Sequence, residues 1–305
     1  MSNIVGGEFL LGEQEKAQFV QRMWHVADFL GVEILDYVVM SNHYHQLIYV
    51  PAEFELTDAE LLERLRKYYG DFGLEYLRFR NALERKGREL RRLRKSHLKR
   101  MGKISEFQKT LKHGFSSWYN KRKKRRGTLW MERFKSVLAE DTYRASTTIA
   151  LYIDLNPVRA QMVTDPANYR FCGYGAAMAG DKRCQRGIKR VLRMDSWKEA
   201  SKKYRIMLME RGHLKVEGKK GCISRELLLE TLEAEGQLPL SDLLMLRVRY
   251  FSDGLVLGSD AYVENVFEKY RSHFGKKRKS GARPIKALPD SGLHVIRDLK
   301  KAVFS

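Results

Sequence analysis

Apolar positions recur at helical spacing over residues 13–30, where Phe19, Val20, Met23, Trp24, Ala27 and Leu30 share one side and Gly31 supplies a stop. The period then changes. Residues 32–39 and 44–50 are two largely apolar runs around Ser41-Asn42, which predicts two strands joined by a tight connection and closed by Pro51. Thr57-Asp58-Ala59-Glu60 has the form of a capping box and opens a helix with Leu61, Leu62, Leu65 and Tyr69 on one side and Gly70 at its end. Residues 107–119 predict a helix packed through Leu111, Phe115 and Trp118, and 128–139 a strand. A helix over 143–155 is opened by Glu140-Asp141-Thr142 and stopped by Asn156-Pro157, because a residue before proline resists the helical region. Residues 169–175 read as an irregular aromatic closure. Beyond Gly180 the spacing predicts helical segments at 195–211, 224–235, 240–251 and 260–273, with a loop at 218–221.

Length and composition narrow the class. A chain of 305 residues holds one good core plus a smaller second domain, and 43% apolar residues suit a folded protein. No run of about 18 apolar residues is present to span a bilayer, and the N-terminus lacks a secretory pattern. Cys172, Cys184 and Cys222 are odd in number and widely spaced, which argues for a reducing, cytoplasmic setting and against a zinc site or disulfide frame. Charge changes the picture most: 58 Lys and Arg against 37 Asp and Glu give +21. Without a membrane anchor, the polyanion such an excess attracts is nucleic acid, and a nucleoid-associated location is expected.

The cations are clustered. Residues 85–103 carry ten Lys or Arg and a single acid, Glu89, around a thin stripe of Leu90 and Leu93. This is either a solvated helix face or a phosphate-tracking one. Lys121-Arg122-Lys123-Lys124-Arg125-Arg126 are six in a row and repel one another unless neutralised, which excludes a core role. Trp130, Arg133 and Lys135 then interleave aromatic and basic groups, as suits stacked bases and a held backbone; Trp130 as a core or edge aromatic is the alternative.

Two features carry candidate chemistry. His43 and His45 are two apart in a predicted strand and point the same way, a pair of imidazoles available as metal ligands or merely two strand histidines. Ile149, Tyr152 and Asn156 lie three and four apart on one helix face, so a phenol and a carboxamide can face one metal together; Tyr152 as a buried core aromatic is the alternative. Two imidazoles and an amide oxygen leave positions open for phosphate oxygens and water, which suits Mg²⁺ or Mn²⁺. A phenol of pKa about 10 is only about 0.1% ionised at pH 7. Its pKa must therefore be lowered, or its proton removed during attack.

Ser41-Asn42-His43-Tyr44-His45, then Gly127-Thr128-Leu129-Trp130 with Arg133-Phe134-Lys135-Ser136, then residues 152–160 (YIDLNPVRA), together resemble the REP-associated tyrosine transposases, which are single-tyrosine HUH transposases. Residues 254–267 (GLVLGSDAYVENVF) are similar to a C-terminal stretch of that family. The resemblance implies a ferredoxin-like α+β domain over 1–178 whose central strand carries the histidines. Residues 55–108 form a basic helical insertion in it, longer than the family's connection. A helical DNA-binding domain over 179–275 and a loose basic tail over 276–305 would follow. It further implies Tyr152 as nucleophile, Asn156 as third metal ligand beside His43 and His45, and single-stranded or hairpin DNA as partner of a monomer or homodimer. Lys121 to Arg126, Trp130, Arg133, Lys135 and Arg159 would hold that DNA. The expected activity is strand cleavage and transfer through a 5′-phosphotyrosine; a non-cleaving binder on the same fold and an RNA-binding module are the alternatives. Three departures stand out: the first strand is nearly missing, Gln46 follows the second histidine, and Cys172-Gly173 replaces a Ser-Ser pair.

Overall fold

The computed structural model describes residues 1–52, 55–213, 256–275, 278–284 and 292–296. The helices expected at 224–235 and 240–251, the loop at 218–221, Cys222, Gly254 and Lys276-Lys277 lie outside the described residues. In chain order the elements are β1 (Ser2–Asn3), α1 (Glu13–Leu30), β2 (Glu33–Val39), β3 (His43–Tyr49), α2 (Asp58–Tyr69), α3 (Leu74–Arg85), α4 (Arg88–Leu98) and α5 (Ile104–Arg122). They continue with β4 (Leu138–Ala139), α6 (Tyr143–Asp154), α7 (Asn156–Arg159), α8 (Gly173–Met178), α9 (Lys182–Leu192) and α10 (Trp197–His213). After the gap come β5 (Val256–Gly258), α11 (Asp260–Lys269), β6 (Arg283–Pro284) and β7 (His294–Ile296). The chain is α+β, and its first sheet is antiparallel in the order β1-β3-β2.

Local signals set the ends of these elements. Gly31 closes α1 at φ 69, a left-handed conformation that glycine adopts without strain. Thr57 and Glu60 form the capping box of α2 reciprocally. Thr142 accepts the Ala145 amide at the start of α6. Strand alternation then divides β3 between two faces. Tyr44 points into a core shared with Phe19 of α1, 4.6 Å away by ring centroids, and Trp130, at 5.5 Å. Phe115 of α5 meets Phe19 edge-on at 5.1 Å. Rings as fully covered as Phe19 and Phe115 contribute about 2–3 kcal/mol each as an upper estimate. His43 and His45 point to the opposite face, where α6 lies.

The first strand survives as a stub with neighbours on both sides. Ser2 and Asn3 pair with Tyr44 and His43, while Met131 donates to the Asn3 carbonyl at 3.0 Å and Lys135 to that of Met1 at 2.9 Å. Residues 129–135 therefore run beside β1, and Ile4 bridges Trp130 antiparallel. The strand expected over 128–139 is regular only at Leu138–Ala139, because Lys112 Nζ takes the Glu132 carbonyl at 2.8 Å and bends the segment out of a ladder.

The domain boundary expected near Gly180 is not a boundary in the packing. Cys184, Ile188, Val191 and Leu192 of α9 and Tyr204 and Leu208 of α10 join the same core as β2 and α6. Gly187 shows how closely: a Cβ added there would lie 2.1 Å from the Leu35 carbonyl oxygen of β2. Gly187→Ala is expected to cost about 1–3 kcal/mol by forcing α9 off the sheet, read as a lower denaturant midpoint at unchanged slope. The described C-terminal residues are not purely helical either. Parallel pairing of β4 with β5 starts a second sheet, β4-β5-β7-β6, under which Val263 and Phe267 of α11 pack. Two of its strands come from the stretch expected as a loose tail, because Val295 and Ile296 are apolar and find a partner in β5.

Candidate active site

β3 and α6 bring the candidate groups together. The imidazoles of His43 and His45 stand edge to face with centroids 5.2 Å apart, and His45 meets the ring of Tyr152 edge to face at 5.6 Å. His45 and Tyr152 also line one cavity of about 180 Å³, together with residues 134–141, Gln46 and Gln108. About six waters would fill that volume, room for a phosphate-sized group. His43 and Asn156 stand outside its wall. Tyr152 is only 1% exposed, so the phenol faces a covered cavity rather than open solvent.

Both imidazoles are disposed to stay neutral. Burial lowers His43 to about 4, aided by the nearby α-ammonium, and burial lowers His45 well below the ordinary histidine range, with the α-ammonium, His43 and Arg159 adding to it. A neutral ring keeps a lone pair for a metal. His43 Nδ1 lies 2.7 Å from Asn42 Oδ1, so a proton on Nδ1 donated to that oxygen would leave Nε2 as the ligating atom. The donor chemistry of the two histidines thus fits a divalent cation. Asn156 fits less directly. Its Nδ2 donates to the Tyr152 carbonyl at 2.8 Å and to that of Ile153 at 3.1 Å, so the carboxamide caps the end of α6, leaving Oδ1 as its ligating atom. Among the described residues no group of three His, Cys, Asp or Glu side chains is arranged to hold a metal.

The phenol is not activated by its surroundings. Burial raises the Tyr152 pKa, and the Arg159 charge and a hydrogen bond with Asn156 offset only part of that. The environment thus works against a standing phenolate, and proton removal during attack is the route the geometry leaves.

The residues expected to hold DNA separate into two groups. Trp130 is a core aromatic, 7% exposed, with its indole N–H on Ser116 Oγ at 2.9 Å, which removes it from any stacking surface. Arg159 turns inward, its guanidinium 4.9 Å above the Tyr152 ring and donating to that residue's carbonyl. Three cations of the run have partners in the protein: Arg122 on Gln14, Lys123 on the buried Glu15 at 2.9 Å and Arg125 on the Thr128 carbonyl at 2.9 Å. Of these three, only Lys123 is neutralised by a carboxylate; Arg122 and Arg125 are hydrogen-bonded to neutral oxygens and keep their charge. Lys121, Lys124, Arg126 and Arg133 are exposed, as is Lys135, which meets Glu132 at 3.3 Å.

Two further contacts are not marked by any motif. Gln108 of α5 accepts from the Tyr44 hydroxyl and donates to Gln46 Oε1, both at 2.7 Å, which gives the unusual glutamine after His45 a structural partner. At the third departure, the Cys172 sulfur caps α8 by accepting the Gly175 amide, and a Cβ at Gly173 would lie 2.0 Å from an Asp36 oxygen. A Ser-Ser pair would not fit there. No protein-family model matches this chain, nor does any curated protein or solved structure match it.

Proposed function

We propose that this protein is a divalent-metal-dependent, single-stranded DNA endonuclease and strand transferase of the HUH type, with Tyr152 as nucleophile. One observation carries the reading: His45, whose imidazole stands 5.2 Å from that of His43 on a central strand, and the helix-borne phenol of Tyr152, over a hundred residues away in sequence, meet at 5.6 Å and line one small cavity. The strand arrangement supports it further, since residues 129–135 beside β1, followed by β3 and β2, with α1 and α5 on one face, have the order of a ferredoxin-like sheet. The net charge of +21 supports a nucleic-acid substrate.

In this reading His43 and His45 would hold Mg²⁺ or Mn²⁺, with Asn156 Oδ1 as the third donor. The cation would polarise a phosphate oxygen and offset charge developing on it. The Tyr152 oxygen attacks the phosphorus, an O–P bond forms, and the bond to the 3′-oxygen breaks; the phenol proton leaves and the 3′-oxygen gains one. The phosphodiester energy stays in the 5′-phosphotyrosine, so rejoining needs no nucleotide cofactor. Arg159 above the ring holds the phenol in place.

A hairpin oligonucleotide labelled on its 5′-phosphate side tests the reading. The expected result is a denaturant-resistant protein–DNA adduct that requires Mn²⁺ or Mg²⁺ and falls at least about 100-fold in His43→Ala and His45→Ala, the range of metal-ligand loss. Adduct formation at full rate in chelator would overturn it. Burial of the phenol and the capping duty of Asn156 favour a second reading, a DNA-binding protein on this fold that does not cleave. Tight hairpin binding with no adduct under any metal would establish that one.

A further inference from the structure

The outer side of α5 forms a groove that the site above does not use. Its cavity of about 750 Å³ lies between the end of α2, the end of α4 and α5. Lys99, Arg100, Lys103, Lys109 and His113 line it, against one acid, Glu106. That carboxylate is already taken, 3.2 Å from Arg100 and 4.0 Å from Lys109. Lys99 and Lys103 are exposed and have no ion pair among the described residues. The Tyr68 wall is held rigid, its ring stacked between His25 at 4.8 Å and Phe29 at 4.2 Å.

The distribution of charge says what fits. From Lys103 to Lys109 is six residues, about 9 Å of helix, and Lys99 and Arg100 enter from the end of α4, so the cations run along the groove and do not converge on one point. A single small anion would leave most of them unmet, whereas successive phosphates of one strand would meet them in turn. The hydroxyls of Ser96, Ser105 and Thr110 on the walls add donors for phosphate oxygens. α5 also ties the groove to the candidate active site: Ile104 and Gln108 line the cavity of Tyr152 while Lys109 and Thr110 line the groove. One helix width, about 10–12 Å, separates the two.

We propose that this groove binds the phosphodiester backbone of a single-stranded DNA flank, as a second contact one helix width from the cleavage cavity. This gives the basic insertion a function and rests on the DNA reading above for its substrate. The experiment measures binding of a fluorescent hairpin with a single-stranded flank to the full chain carrying Tyr152→Phe, in chelator, across a salt series. Each single-strand phosphate contact contributes about 0.7 to the slope of log affinity on log salt. Lys99→Gln/Lys103→Gln/Lys109→Gln is expected to lower that slope by about 2. Arg80→Gln/Arg144→Gln/Arg170→Gln removes the same net charge from exposed positions outside the groove and is expected to leave the slope within about 0.5.

Removing the flank should lower the slope of the unsubstituted groove by the same amount, an arm that needs no folded triple variant. Equal slopes for groove and control variants together with indifference to the flank would overturn the proposal. So would an RNA strand of the same sequence that binds more tightly and carries the whole groove effect. The two readings fail separately. A groove-dependent slope without any adduct removes the nuclease and keeps the groove, while an adduct with no groove-dependent slope does the reverse.

Discussion

Tyr152→Phe is expected to abolish the covalent protein–DNA adduct, by at least about 10³-fold, while leaving hairpin affinity within about twofold. The size follows from removing the attacking atom itself, since loss of a nucleophile costs enzymes about 10³ to 10⁶ in rate. The substitution is otherwise mild. The ring stays, so the edge-to-face contact with His45 and the Arg159 guanidinium above it remain. What goes is one buried hydroxyl, a change expected to stay within about 1 kcal/mol of stability. Loss of adduct therefore cannot be put down to a disturbed fold if the denaturation midpoint holds. Tyr143 is the control on the same helix: its hydroxyl lies against Met207 Sδ at 3.9 Å, away from the imidazoles, and Tyr143→Phe should leave the adduct intact. An undiminished adduct in Tyr152→Phe would move the nucleophile elsewhere and with it the whole candidate site.

Raising the pH should sharpen this contrast up to a point. Burial holds the phenol proton on, so the wild-type rate is expected to climb with pH through the neutral range as proton removal becomes easier. Neither imidazole should contribute an inflection near pH 6.5, because both are already neutral there. Metal-dependent rates that instead collapsed on deprotonation near pH 6.5 would contradict the histidine environment described here.

Local signals were legible where they are made by neighbours in sequence. Gly31 after an amphipathic run, Thr57 with Glu60, and Thr142 before Tyr143 each terminate or start a helix through contacts within four residues, and α1, α2 and α6 lie where those residues put them. The pairing of β2 with β3 follows from two apolar runs with a short break around Ser41-Asn42. Position in space was legible only in part. The two-residue period fixes which face His43 and His45 share, but not that Tyr152 shares a cavity with residues 134–141. Trp130 illustrates the limit: it lies in sequence between the cationic run ending at Arg126 and the cations Arg133 and Lys135, yet its contacts are Phe19, Tyr44 and Phe115 from other elements. The packing of α9 on β2 was likewise hidden, because it depends on Gly187 meeting the backbone of Leu35, which no periodicity records. One signal was available and unused. Asp36 stands in an otherwise apolar strand, and a buried acid needs either a partner or a proton.

That acid is the basis of the second large expected effect: the buried pair's contribution to native stability should fall as pH rises from about 4 to 7, by about 4 kcal/mol from Asp154 alone, and the fall should be smaller in Asp36→Asn. Asp36 and Asp154 are both fully buried, and Asp154 accepts the Tyr174 amide at 3.0 Å and the Tyr204 hydroxyl at 2.8 Å. Asp36 accepts only its neighbour's amide, from Tyr37 at 2.9 Å, and its second oxygen has no hydrogen-bond donor. Burial first, and then the charge of Asp154, raise the Asp36 pKa well above the usual range; burial raises Asp154 to about 7. Both folded values lie above the unfolded ones, so the sign is fixed. Below about pH 4 both states hold the protons and nothing is lost. Between about 4 and 7 the unfolded chain releases them and the native protein does not, so stability drops by about 1.4 kcal/mol per unit for each acid. Cys172 and Tyr204, which surround the pair, stay protonated throughout because burial raises both. Glu15 and Asp181, whose pKa values are lowered, act in the opposite sense, so the quantity to measure is the difference between the two proteins across pH. Asp36→Asn keeps the oxygen that accepts the Tyr37 amide and removes one of the two charges, so its curve should be flatter and lie above the wild type at pH 8. Parallel curves would mean that Asp36 holds its proton no more tightly in the native protein than in the unfolded chain. Asp154 lies two residues from Tyr152 on the opposite face of α6, so a proton held there keeps the end of that helix seated on β2, and with it the phenol against His45.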